Sequence, residues 1–319
     1  MPLALVSAAR GIGDIVRITP LVRVCRRLGY DVDLLLAPDY PETATLFEGH
    51  PDVGRVFLLP SLGSHEGSHR LDGMARAEYD VATFTTWSVA YRRLVRAKRV
   101  IAFEQARWIC EGDSASVLRI ARALGWTGAL PPPFALCSSR RFDLASGTVA
   151  LHPGCKPDWP WKKWHGFEAL AWRLPSVVIV GSKDDQRNER TYFRRTMVWP
   201  PHARDYSGTL TLADTAALIR QSTAFIANDS GLMHLGVALG VPTFGIFGIT
   251  NPEREAIDAP NMHVVTKGLS CERACRSTAW GRRDCDRHLE CLRTLGPDEV
   301  LQRIRVASIE LEKAISCTT

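Results

Sequence analysis

What most constrains this chain is the recurrence of short apolar, β-branched runs separated by segments of helical periodicity. In the first half they fall at Leu3–Val6, Val32–Leu36, Arg55–Leu59, Asp80–Phe84 and Arg99–Ile101. Runs this continuously apolar are buried on both faces, which calls for a parallel sheet flanked by crossover helices. Near 127–147 the pattern lapses into Pro131-Pro132-Pro133 and the polar Ser138-Ser139-Arg140-Arg141, a linker signal. A second series then starts at Thr148–His152 and continues through Ser176–Val180, Ala224–Ala227, Thr243–Phe247 and His263–Val265. Helices are expected near Trp164–Arg173, Thr211–Gln221 and Gly231–Leu239. The pattern predicts two doubly wound α/β domains, 1–140 and 141–319. The apolar periodicity of Asp298–Ile315 predicts a closing helix that packs back toward the first domain.

Length and composition narrow the class. A chain of 319 residues has room for two full cores. No apolar run approaches the ~20 residues that a membrane span needs. The first residues run straight into a strand with no basic leader, so the expected location is cytoplasmic, with peripheral contact at the cytoplasmic face of the inner membrane as a variant. The net charge of +6 suits a phosphate-bearing ligand or an anionic surface. The densest basic stretch, Tyr91–Arg99, alternates with apolar residues as a surface helix would, and no nucleic-acid partner is expected.

Of nine cysteines, Cys25, Cys110, Cys137, Cys155 and Cys317 are scattered, whereas Cys271, Cys275, Cys285 and Cys291 share one short polar segment. A reducing compartment argues against a disulfide framework. Four thiols suffice for a closed tetrahedral site, although the gaps are not the paired spacing of common zinc ribbons. Structural zinc or iron, disulfides and free thiols all remain open here.

Three loops carry chemistry. Ala9-Arg10-Gly11-Ile12-Gly13-Asp14 follows the first strand, and its glycines let the backbone turn tightly beside a ligand. Val16 stands where a dinucleotide fingerprint needs its third glycine, and no acidic residue closes the second strand after Leu36, so a nicotinamide or flavin cofactor is not expected. Asp14 in the first helical turn is either a general base facing a cleft or a helix N-cap. Pro20 either kinks that helix or restarts it with Thr19 as its cap. In Asn228-Asp229-Ser230-Gly231-Leu232-Met233-His234 a buried strand ends in small polar residues that open a helix, an arrangement suited to a diphosphate. Ser230 can donate a hydrogen bond there, and His234 lies one turn on. Thr250 and Asn251, in the loop after the next strand, either bond the ligand or form a turn. Between them lies His152-Pro153-Gly154-Cys155-Lys156-Pro157-Asp158-Trp159-Pro160-Trp161-Lys162-Lys163-Trp164, where Lys156 and Lys162 are candidates to neutralise phosphate and the tryptophans to pack the loop down.

These motifs, in order, resemble glycosyltransferase family 9, the ADP-heptose:lipopolysaccharide heptosyltransferases and their relatives. The carriers are Gly11–Pro20, Lys162-Lys163-Trp164, Asn228–His234 and Phe247-Gly248-Ile249-Thr250-Asn251-Pro252. The resemblance implies a GT-B fold, two Rossmann-like domains facing a central cleft, with the acceptor on the N-terminal and the donor on the C-terminal domain. It implies Asp14 as catalytic base, a lysine before the tryptophan on the donor phosphate, with Lys162 preferred on its spacing to Trp164 and Lys156 the alternative, and Asp229, Ser230, Gly231 and His234 on the donor; Gly13, Asn228 and Thr250 join that donor site from the reading of the loops. The implied reaction is inverting transfer, without a catalytic cofactor, of a sugar such as heptose from a nucleotide-diphosphate donor to a hydroxyl of a cell-envelope glycan or protein. Asp31-Val32-Asp33 matches the metal-binding string of the other large glycosyltransferase fold and is read as chance. A sugar-nucleotide epimerase of the same architecture is the alternative.

Overall fold

A computed structural model describes residues 1–59, 78–85, 88–102, 115–157, 159–186, 196–272, 285 and 287–316, the side chains at 37, 38, 90 and 307–316 aside. The chain divides into two compact units, Met1–Ser139 with Thr211–Ala216, and Arg140–Leu210 with Ala217–Thr319. Each is built on one parallel sheet.

The first unit contains β1 (Leu3–Arg10), β2 (Asp31–Pro38), β3 (Val56–Leu58), β4 (Glu78–Phe84) and β5 (Arg96–Ala102), in the order β3-β2-β1-β4-β5. All four pairings are parallel. The chain leaves β1 toward one edge and returns to build the other, so the order reverses between β1 and β4. The basic stretch expected as a surface helix instead forms a short 3-10 segment, Val89–Leu94, and the edge strand β5. An edge strand rich in arginine and lysine is a common protection against strand addition.

Helix α1 (Ile12–Arg27) runs unbroken through Pro20. Proline removes the N–H that would have bonded the Val16 carbonyl. The Thr19 hydroxyl donates to that carbonyl at 2.8 Å and accepts from the Phe134 amide at 3.0 Å. Thr19 thus repairs the helix from inside instead of capping a new one.

The second unit contains β6 (Val149–His152), β7 (Val177–Ile179), β8 (Ala203–Asp205), β9 (Ala224–Asn228), β10 (Thr243–Ile246) and β11 (Met262–Val265), ordered β11-β10-β9-β6-β7-β8 and parallel throughout. Here the order reverses between β6 and β9. Its flanking helices are α2 (Phe167–Ala171), α4 (Gly231–Ala238) and α5 (Pro297–Ser316), while α3 (Leu212–Arg220) has its first residues, through Ala216, in the first unit and its last in the second. β8 has no signal in the sequence: its three residues, Ala203, Arg204 and Asp205, are half-buried or exposed.

The core of this unit gathers Leu151, Trp164, Phe167, Leu170, Ile179, Ile226, Phe244 and Ile246 from sheet and loops. Val300, Leu301 and Ile304 of α5 pack on this same core, and Arg173 pairs with Asp298 at 2.9 Å. The first turns of α5 therefore rest on the second unit. Among the described residues no helix is long and apolar enough to cross a membrane.

Candidate donor and base sites

In open parallel sheets ligands bind beyond the C-terminal strand ends, at the point where strand order reverses. Both groups of candidate residues occupy such points. Asp14 follows β1, and the loops after β6 and β9 flank the reversal in the second sheet.

In the first unit Gly11, in extended conformation, is the N-cap of α1, and Asp14 is the third residue of the helix. The Asp14 carboxylate accepts from the Gly11 amide at 3.1 Å through Oδ2 and from Arg17 Nη2 at 2.8 Å through Oδ1. The structure thus corrects the N-cap alternative: Asp14 closes back on the cap from the first turn, in the manner of a capping box. Its side chain keeps 27% exposure while Arg17 is buried. Gly13 is buried beside it, and Arg10, just before the turn, has the left-handed φ of 82° that an arginine rarely adopts. Asp33 is saturated elsewhere, by the Arg55 amide and guanidinium and by the Tyr79 hydroxyl, so the Asp31/Asp33 string has no free pair of carboxylates to offer a metal.

In the second unit Asn228 ends β9, fully buried. Its Oδ1 accepts from the Trp164 amide at 2.9 Å and its Nδ2 donates to the carbonyls of Pro153 and Gly154 at 2.8 and 3.3 Å. Every polar atom of this side chain is spent tying the β6 loop to the β9 end, so Asn228 shapes the site rather than reaching into it. Trp164 completes the anchor: it is 1% exposed and its indole N–H donates to the Leu295 carbonyl at 2.9 Å.

The loop so fixed carries Lys162 to Asp229, Nζ to Oδ2 at 2.6 Å, and Thr250 Oγ1 donates to the same oxygen at 2.7 Å. Burial by itself would lower the Lys162 pKa. The Asp229 carboxylate outweighs it and holds the ammonium above the ordinary lysine range. Burial would likewise raise Asp229, but Lys162, Thr250 and His234 hold it below the usual carboxylate range. His234 is buried beside them, 3% exposed. Lys156, by contrast, lies exposed on the turn after Cys155, so of the two lysines it is Lys162 that joins the cluster.

Gly231 opens α4, whose N-cap Ser230 accepts from the Met233 amide at 3.4 Å. The first-turn amides and the positive end of the helix dipole are features that favour an anion.

Three further residues join the site that sequence reasoning did not single out. His152, at the end of β6, is within hydrogen-bond distance of Ser230 Oγ through Nδ1 (3.0 Å) and of Asp185 Oδ2 through Nε2 (3.3 Å). Asp185 also accepts from the Ser182 amide, and Lys163 Nζ donates to the Asp185 carbonyl at 2.9 Å. Burial would raise Asp185, yet His152 and Ser182 together bring it below its ordinary value. Two glycines make the room. A Cβ at Gly154 would lie 2.1 Å from the Asp185 carboxyl carbon, and one at Gly181, where φ is +125°, 2.5 Å from Oδ2. The available sequence signal was these glycines standing one at each strand exit.

Of the clustered cysteines, Cys275 lies outside the described residues. Cys271 hydrogen-bonds Arg287, Cys285 Sγ accepts from the Leu289 amide at 3.3 Å, and Cys291 is buried in the core. Among the described residues no three potential ligands converge on a metal position.

Residues 132–279 match the model of glycosyltransferase family 9 (heptosyltransferase). Lipopolysaccharide heptosyltransferase 2 of Salmonella typhimurium is 27% identical over 125 residues, 37% of this chain and 36% of that protein. The matched stretch spans about a third of the length of the curated relatives. The structure of E. coli ADP-heptose lps heptosyltransferase II superposes with a TM-score of 0.71 at 18% identity, covering 97% of this chain and 99% of that one. The iron-containing dodecameric glycosyltransferase TibC from enterotoxigenic E. coli H10407 gives 0.64 at 17%, covering 97% and 77%. These superpositions show the fold, GT-B, with its two parallel-sheet α/β domains. Over residues 132–279, then, the chain is similar to glycosyltransferase family 9 (heptosyltransferase), and over nearly its whole length it shares the fold of the solved structures named above.

Proposed function

We propose that the chain is an inverting glycosyltransferase that moves a heptose from ADP-heptose to a hydroxyl of a cell-envelope glycan or protein. The observation that carries this reading is the buried Lys162–Asp229–Thr250 cluster at the N-terminus of α4. It brings a cation and a hydroxyl to Asp229, the residue just before the N-cap of α4, and a cation beside a helix N-terminus is what a leaving diphosphate needs. Lys162, Ser230, Gly231, His234 and Thr250 are assigned to the donor, with Asp229 orienting Lys162 and Asn228 fixing the loops. Lys156, at the loop surface, is assigned to the outer edge of the donor, and Gly13 gives the sugar close backbone approach.

Asp14 is the base. Its hydrogen bonds from Gly11 and Arg17 orient a partly exposed carboxylate, which takes the acceptor's proton as the acceptor oxygen attacks the anomeric carbon. One displacement from the face opposite the diphosphate inverts the centre, and no cofactor enters the chemistry. The names of the relatives support heptose, ADP and a lipopolysaccharide-type acceptor. The work is placed on the cytoplasmic side of the inner membrane, with contact to its surface.

Calorimetry against a panel of nucleotide sugars, followed by a transfer assay with the tightest binder, tests the reading. Preference for ADP-heptose and a glycosylated acceptor are expected. Release of an epimerised nucleotide sugar with no transfer would replace it with the epimerase alternative.

The cysteine segment is proposed to hold a structural zinc or iron. The clustering of four thiols in one short segment supports this reading, and one structural neighbour is iron-containing. Elemental analysis is expected to find one tightly held metal per chain, lost in Cys285→Ser; metal-free active protein would remove the idea.

A further inference from the structure

Ser230 has one proton and two lone pairs, and its neighbours decide how these are used. One lone pair caps α4 through the Met233 amide. The other partner is His152 Nδ1 at 3.0 Å, and here the tautomer matters. The Nε2 atom faces the Asp185 carboxylate, which can only accept, so in neutral His152 the proton sits on Nε2 and Nδ1 is an acceptor. Ser230 must then donate its single proton to His152. It has nothing left to give a phosphate oxygen and presents a lone pair toward it.

In the imidazolium both ring nitrogens donate. Nδ1 then donates to Ser230, whose hydroxyl proton is released to point at an anion while its two lone pairs hold the Met233 amide and His152. With an anion at the helix N-terminus, this is the state in which the hydroxyl proton meets the anion while both lone pairs keep their partners.

We propose that His152 is a positioning residue that couples uptake of one proton to binding of the donor diphosphate, by turning Ser230 from a donor toward the imidazole into a donor toward phosphate. The inference rests on the assignment of the α4 N-terminus to the donor. The proton comes from solvent and returns to it when the nucleotide diphosphate departs, so no bond other than N–H and O–H contacts changes.

The charged and titratable surroundings fit a ring that takes up a proton. Asp185 faces Nε2, and Lys163 is engaged with that residue's own carbonyl. On the Ser230 side stand Asp229, already paired with Lys162, and the buried His234. Cys155, close to the same group of charges, is pushed up to about 12 by burial and stays a neutral thiol. The arriving diphosphate adds negative charge on the side where positive charge is created.

Titration calorimetry of the full chain with ADP, near pH 7.5 in buffers of different ionisation enthalpy, reads the protons taken up per ADP bound. Net uptake is expected in the wild type, together with a Kd that weakens as pH rises, up to about tenfold per pH unit, the limit for one linked proton. Subtracting His152→Asn corrects for the ionisation of ADP itself. The asparagine amide offers Ser230 a permanent donor where Nδ1 stood, so this variant should bind ADP with the histidine-linked uptake gone and its pH dependence flattened. Ser230→Ala, which lets the ring stay neutral, should lose the same uptake and serves if the first variant does not fold. Equal uptake in the wild type and both variants would overturn the proposal while leaving the donor reading intact. Absence of binding to ADP and to the other nucleoside diphosphates would overturn both.

Discussion

Asp14, proposed above as the base, also serves a helix. Both its oxygens are engaged, by the Gly11 amide and by Arg17, yet it stays partly open to solvent. Asp14→Asn preserves the shape and one acceptor while removing the basicity. Under the proposed mechanism transfer falls by at least ~10²-fold, the lower range for loss of a general base, with donor affinity little changed. Steady-state rates and calorimetry on the same variant check it, and near-wild-type turnover would remove Asp14 from the chemistry. Asp14 and the Asn228–Gly231 segment were legible because each abuts a strand exit and a glycine. His152 and Asp185 were not, because their meeting depends on two separate loops brought together by β6 and β7, with Gly154 and Gly181 clearing the space. Nothing local marks a histidine at the end of a strand as the partner of an aspartate 33 residues away. Asn228 was legible as a position but its three internal contacts were not, since an amide so engaged looks in sequence like one aimed at a ligand.

At the scale of elements, periodicity located nearly every buried strand, and what it missed has physical reasons. β8 has no apolar run because it is an edge strand with little to bury. The Tyr91–Arg99 alternation fits a helix face and a strand about equally over so short a stretch; its first residues form the 3-10 segment, and from Arg96 pairing with β4 decides for the strand. Helix α1 is the instructive case, since Pro20 would ordinarily break it and Thr19 prevents the break. Thr19→Val keeps the shape but leaves the Val16 carbonyl and the Phe134 amide without the hydroxyl that joins them. A loss of about 1–3 kcal/mol is expected from stranding buried polar groups. It should be read as a lower urea midpoint with the same slope. An unchanged midpoint would mean that the carbonyl finds another donor.

For the molecule as a whole, titratable groups at and near the β6 loop shape its response to acid. His165 is lowered to about 4, chiefly by burial and secondarily by Lys163. Its unfolded-state value is ordinary for histidine, so between roughly pH 6.5 and 4 the unfolded chain binds the extra proton. Stability is then complete above that window and falls through it as pH drops, by on the order of 2 kcal/mol. Asp229 and Asp185, both depressed, add stability that is retained through this window and lost only at lower pH, below the usual carboxylate range. Chemical denaturation of the wild type and His165→Gln at several pH values separates the two: the variant should lose the slope between pH 6.5 and 4 and keep the steeper fall beneath it. Identical profiles would show that His165 titrates as it does in an unfolded chain.

The Lys162–Asp229 pair also has a bearing on selectivity among anions. A bare buried ammonium would attract any small oxyanion from the cell's pool. Here the carboxylate is a resident competitor at 2.6 Å, and a newcomer must offer enough additional contacts to share the lysine with it. An isolated orthophosphate offers few. Under the proposed donor assignment a nucleoside diphosphate brings a base, a ribose and a sugar whose contacts lie elsewhere, and the pair would then act as a threshold that admits a large ligand and turns away its smallest fragment.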